Sequence, residues 1–92
     1  EADELQELRL GAKQLAAAEN AGRLLRLGQG IIVLPSAPQQ AKQRIAQLEQ
    51  PFTLSAARKA LGTTRRVAIP LLEYLDEQGI TRRLDGGLRE LR

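Results

Sequence analysis

The chain has 92 residues, 42% of them hydrophobic and 27% charged, the composition of one small folded domain or two very small ones. With no Cys and no His it excludes disulfides, Cys/His metal sites and thiol or imidazole catalysis, and one Phe and one Tyr do not make a base-stacking platform. The formal net charge of +3 lies wholly in the second part, because residues 1–50 carry six basic and six acidic side chains and residues 51–92 carry eight and five.

In chain order, the first expected element is a helix through AKQLAAAENA that ends at Gly22. LLRL, GQG and IIVL then read as a β-hairpin, with Gly28 and Gly30 available for positive φ in its turn. PSAPQQ breaks the pattern, and a boundary is expected near residue 37, where Pro38 suits the first turn of a new helix. In AKQRIAQLE, Ala41, Ile45 and Leu48 fall on one helical stripe, and Pro51 is expected to end it. Phe52 and Thr53 are expected to be extended, with Ser55 as N-cap of a short helix through Leu61 that Gly62 closes.

Thr63 and Thr64 then make a turn and cap a third helix, whose apolar face is Val67, Ala68, Leu71, Leu72 and Leu75. Pro70 inside this helix removes one ladder hydrogen bond and is expected to bend its first turns, at about 3 kcal/mol if nothing compensates. Gly79 ends the helix, and ITRR, LDGG and LREL form a second hairpin turning at Asp85-Gly86. The order helix, glycine, hairpin thus occurs twice, 57 residues apart, as an internal repeat whose first copy is incomplete.

The fold class is therefore α+β, mainly helical: a winged helix over 38–92, preceded by a partial winged-helix unit over 1–37 that keeps only its last helix and hairpin. Ile45, Leu48, Phe52, Leu54, Ala57, Leu61, Val67, Leu71, Leu72, Leu75 and Ile80 are expected to form the core.

Two arginine pairs carry the functional signal. Arg65 and Arg66 stand in the first turn of the third helix, where positive charge opposes the helix dipole by about 0.3–1 kcal/mol each, so an anion from outside the chain is expected to compensate. Thr63, Thr64 and the free amides of that helix start converge on the same place, which suits phosphate. Arg58, on the short second helix, either faces the same groove as Arg65 or pairs with Glu73 or Asp76. Arg82 and Arg83 lie on the first wing strand, where alternation lets one of them join the patch, while arginine on an edge strand also blunts edge pairing. Glu73, Asp76 and Glu77 are expected to pair with arginines rather than do acid/base or metal chemistry. GQG at 28–30 is no phosphate loop, since neither GxGxxG nor GxxxxGK[ST] is present.

These residues bear a family resemblance. PFTLSAARKALGTTRRVAIPLLEYLDEQGITRR, within residues 38–92, resembles the last winged helix of the bacterial selenocysteine-specific elongation factors (SelB). In that family an Arg precedes LG, followed by a Gly-Thr-Ser-Arg-Lys-like turn, an aliphatic-Pro-Leu-Leu-Glu-Tyr helix and a Thr-Arg-Arg wing strand. Thr64 stands where the family often has Ser and Arg66 where it often has Lys, and both keep the hydroxyl or the charge. The wing turn LDGG lacks the family's basic residues, for which Arg89 is the candidate substitute.

The resemblance implies an RNA-binding, non-enzymatic module without a cofactor, gripping the mRNA hairpin called SECIS that follows an in-frame UGA codon. By motif match, Arg58, Thr63, Thr64, Arg65 and Arg66 would contact the hairpin, supported by Arg82 and Arg83. Selenocysteinyl-tRNA and the ribosome would be engaged through domains absent from this chain. The lack of Met and the start at Glu1 are in keeping with a piece of a longer protein. A cytoplasmic monomer is expected, with no apolar run of about 18 residues for a membrane span and no signal-peptide pattern. A DNA-binding winged-helix regulator and a protein-interaction winged helix are the alternatives.

Overall fold

The computed structural model describes residues 7–8, 17 and 19–92. Most of the helix expected across AKQLAAAENA lies outside the described residues; Ala17, Glu19 and Asn20 are helical, and Gly22 follows with φ 72°. Strands β1 (Leu25–Arg26) and β2 (Ile32–Val33) pair antiparallel, Leu25 opposite Val33 and Arg26 opposite Ile32. Their turn takes positive φ at Gln29 and Gly30, not at Gly28. Arg26 grips Glu19 through two hydrogen bonds of 3.0 and 3.1 Å, and this bonding holds the Glu19 carboxyl below its ordinary pKa.

Helix α1 (Ala37–Ile45) starts with Pro38 in its first turn and buries Ala37, Ala41 and Ile45, spaced by four residues on one face. It stops well before Pro51. The amides of Gln47 and Leu48 tighten onto the carbonyls three residues back, and the Gln50 side-chain amide donates to the carbonyls of Ile45 (3.1 Å) and Leu48 (3.0 Å). A side chain therefore satisfies the helix end that proline was expected to force.

Helix α2 (Leu54–Leu61) is capped by Thr53, whose hydroxyl accepts from the Ala56 amide at 3.1 Å. Ser55 already lies within the first turn, where its hydroxyl cannot serve as the N-cap; the extended backbone of Thr53 (φ −92°, ψ 163°) points its oxygen at the right amide. Gly62 closes α2 with φ 66°, and the amides of Gly62 and Thr63 return to the carbonyls of Lys59 (3.2 Å) and Arg58 (3.3 Å). From α1, Arg44 Nη1 donates to the Leu61 carbonyl at 3.2 Å, which fixes this turn from behind.

Helix α3 (Arg65–Glu77) runs as one element through Pro70 and buries Val67, Ala68, Pro70, Leu71, Leu72 and Leu75. Full burial of the proline ring offsets its missing hydrogen bond. Thr64 occupies the N-cap position with extended backbone, but its hydroxyl makes no capping bond; its carbonyl accepts from Val67 and Ala68 at 3.2 and 2.8 Å. After Gly79, the Ile80 amide reaches back to the Leu75 carbonyl at 2.9 Å.

Strands β3 (Thr81–Arg83) and β4 (Arg89–Leu91) form the wing, with Thr81 opposite Leu91, Arg82 opposite Glu90 and Arg83 opposite Arg89. The extended residues ahead of α2 join it at one point, where Phe52 and Arg89 exchange backbone bonds of 2.8 and 3.0 Å. Three helices with this wing make a winged helix, as the order of elements predicts. The three-residue turns of the two hairpins, at Gly28–Gly30 and Asp85–Gly87, lie 57 residues apart and share their local geometry.

All the expected core residues pack together, Leu48, Leu54 and Ile80 at its edge. The core also takes in Leu27, Ile31, Val33, Ala37 and Ala41, so the first hairpin contributes to the interior that α3 fills. The turn Gly28–Gly30 packs directly on α3.

Candidate nucleic-acid interface

The seven sequence-predicted site residues fall into four places. Arg58 on α2 and Arg65 at the start of α3 line one open groove of about 370 Å³, together with Thr53, Leu54 and Ser55. Among the described residues no carboxylate pairs with Arg58 or Arg65, so the groove presents two guanidinium groups over one apolar and two hydroxyl-bearing residues. The alternative partners of Arg58 are not engaged with it: Asp76 is committed to Thr81 and Arg89. Thr63 is half-buried and Thr64 exposed in the turn that joins the two helices, and neither lines the groove.

Arg66 is also exposed but holds an ion pair with Glu7. The compensation that the helix dipole demands thus comes partly from within the chain, 59 residues upstream, rather than only from outside it. Nothing local in the sequence announces that contact. Ser55 is a second residue the sequence placed in another role; it stands three positions before Arg58 on α2, the spacing that puts two side chains on one helical face.

The wing arginines divide. Arg82 forms a cross-strand ion pair with Glu90, directly opposite it in the register. Arg83 is exposed and has no ion pair among the described residues. Arg89 does not replace the missing basic residues of the wing tip. It is 7% exposed, and its Nε donates to Asp76 Oδ2 at 3.1 Å and Oδ1 at 3.3 Å, while the Thr81 hydroxyl donates to Asp76 Oδ1 at 2.6 Å. An arginine buried on a carboxylate fastens the wing to α3 and is not offered to a ligand.

Asp76 in that network, with Glu73 and Glu77 exposed beside it, forms no metal-binding group among the described residues. Nor is any helix among them long and apolar enough to cross a membrane.

A family model described as "Elongation factor SelB, winged helix" matches residues 43–89, just over half of the chain, spanning α2, the turn, α3 and most of the wing. The chain belongs to the SelB winged-helix family. Among solved structures, this SelB winged helix is similar to a bacterial selenocysteine-specific elongation factor, EF-Sec, with 31% identity and a TM-score of 0.70 over 85% of the chain. It spans only 13% of that factor's length. It is also similar to the mRNA-binding domain of elongation factor SelB from E. coli, solved in complex with SECIS RNA, at 28% identity and a TM-score of 0.70, covering 87% of this chain and 68% of that one. No curated protein matches it. The similarity to both structures reaches beyond residues 43–89, so it takes in part of the segment that precedes the winged helix.

Proposed function

We propose that this SelB winged helix binds an mRNA stem-loop of the SECIS type and anchors a selenocysteine-specific elongation factor to its message for UGA recoding. The observation that carries this reading is the convergence of Arg58 and Arg65, both without a carboxylate partner among the described residues, on one groove at the start of α3. Phosphate suits that place because guanidinium forks, free helix-start amides and the positive end of the dipole all favour an anion. Thr63, Thr64, Arg66, Arg82 and Arg83 belong to the proposed contact surface, with Arg58 and Arg65 at its centre and Arg82 weakened by its bond to Glu90. Kinship with the E. coli domain solved on SECIS RNA supports RNA as the polyanion.

The module acts as a monomer in the cytoplasm, without catalysis or cofactor of its own, and reaches selenocysteinyl-tRNA and the ribosome through other domains of the factor. Its division into a partial unit, 1–37, and a complete winged helix, 38–92, belongs to the same proposal and is supported by the matching turns 57 residues apart.

RNA and DNA differ in what they offer such a helix tip. The B-form major groove admits a recognition helix, whereas the A-form groove is too narrow, leaving backbone phosphates and unpaired loop nucleotides as targets. Anisotropy titration of the labelled E. coli SECIS hairpin and of a duplex DNA of equal length is expected to favour the hairpin by tenfold or more. With about four phosphate contacts, log K should fall with log salt at a slope near −3. Equal or tighter binding to the DNA would sink the RNA assignment and favour a DNA-binding regulator.

A further inference from the structure

Helix α3 opens with two arginines and no acidic residue in its first turn. The carboxylate that meets this concentration of positive charge is Glu7, whose Oε1 contacts Arg66 Nη1. Three facts make the contact more than a chance meeting of surface charges. The next residue is fastened, since the Leu8 amide donates to the Ile32 carbonyl at 2.7 Å, and Ile32 is itself buried on β2. The acid is tucked in while the base is not: the Glu7 side chain is 15% exposed and that of Arg66 56%. Finally, tethering keeps the carboxylate at high local concentration beside a group that an incoming phosphate would need.

We propose that Glu7 is an internal competitor for the phosphate that Arg66 would bind, an autoinhibitory contact that lowers the affinity of the interface. This rests on the proposed RNA-binding function for the identity of the ligand. The Oε1 atom of Glu7 is a stand-in for a phosphate oxygen, occupying one fork of the Arg66 guanidinium and repelling a second anion. A phosphate engaging Arg66 therefore exchanges one ion pair for another, whereas a phosphate at Arg65 or Arg58 makes a new one. It follows that contact at Arg66 loosens the segment bearing Glu7 from the start of α3, and that contact at Arg65 does not.

The test is Glu7→Gln in the 92-residue chain, titrated by anisotropy with the labelled E. coli SECIS hairpin over a range of KCl concentrations. Relative to the unaltered chain, the variant should bind about two- to fivefold tighter, the range expected of an ion pair whose arginine faces solvent. Its salt slope should steepen by about 0.7–0.9, one further counterion released. Both effects should vanish in an Arg66→Ala background. Glu49→Gln, an exposed neutralisation elsewhere, should leave affinity unchanged within error.

Equal affinity of Glu7→Gln and the unaltered chain overturns the proposal. So does a gain that persists without Arg66, or an equal gain from Glu49→Gln, since either assigns the effect to net charge. If the unaltered chain does not bind the hairpin, the RNA-binding reading fails, and elution from immobilised heparin decides the competition separately. Later elution of Glu7→Gln only when Arg66 is present then supports it, and co-elution overturns it.

Discussion

Changing Arg65 and Arg66 together to alanine is expected to weaken hairpin binding by about 100-fold while leaving the fold intact. A hydrogen bond to a charged group contributes roughly 1.5–3 kcal/mol when its partner is removed, and 1.4 kcal/mol is one decade of affinity. The two arginines should not contribute equally. Arg65 lines the groove with no carboxylate partner among the described residues, so its contact with phosphate is pure gain. Arg66 gives up Glu7 to make the same contact. Arg65→Ala alone should therefore cost about 20- to 30-fold, and Arg66→Ala about three- to fivefold, set against roughly 1.4 kcal/mol per decade.

Both side chains are exposed, and removing positive charge from a helix start is mildly favourable, which offsets the loss of the pair that the solvent-facing Arg66 makes with Glu7. The melting temperature should accordingly stay within about 4 °C, the shift that half a kcal/mol produces in a domain of this size. Anisotropy and thermal melts followed by circular dichroism check the two halves of this expectation. A double variant that binds within threefold of the unaltered chain would remove the start of α3 from the interface.

The largest effect on stability should come from Arg89→Ala. The exposure of the paired side chains is 9% for Arg89 and 18% for Asp76, so removing the guanidinium strands a largely buried carboxylate with the Thr81 hydroxyl as its remaining side-chain partner among the described residues. Breaking a buried pair from one side costs about 3–5 kcal/mol, and the partial access of Asp76 to water places this case near the lower end. About 3 kcal/mol corresponds to a fall of about 12–24 °C in melting temperature. Arg89→Met combined with Asp76→Leu and Thr81→Val should recover most of that loss, because the apolar trio carries no stranded charge and leaves no buried hydroxyl without its acceptor. If Arg89→Ala melts within 4 °C of the unaltered chain, the wing is not held to α3 through this pair.

What the sequence could reveal follows the range of the interactions involved. Helix α3 was legible because Val67, Ala68, Leu71, Leu72 and Leu75 repeat at helical spacing, and the turns at Gly62 and Gly79 because αL closure favours glycine. Arg58 and Arg65 were legible as neighbours because a short helix and a tight turn leave little freedom between them. Choices decided by backbone direction were harder. Whether Thr53 or Ser55 caps α2 depends on which residue is extended, and whether Gly28 or Gln29 takes positive φ depends on hairpin register.

Contacts between distant residues were not legible at all. Glu7 meets Arg66 across 59 positions, and Gln50 rather than Pro51 finishes α1, because a side chain that folds back leaves no periodic trace. Arg89 looked like any wing arginine until burial beside Asp76 gave it a structural duty. Likewise, IIVL announces a strand but not which interior will receive it; Ile31 and Val33 enter the core shared with α3.

That shared core has a mechanical consequence. Because Ile31 and Val33 are wholly buried in it and the turn Gly28–Gly30 rests on α3, no layer of water separates the first hairpin from the helix that presents Arg65. The two stretches do not hang together like beads on a string. A pull exerted on the first hairpin is delivered through close-packed side chains to the tip of α3, with the stiffness of a lever rather than the slack of a tether.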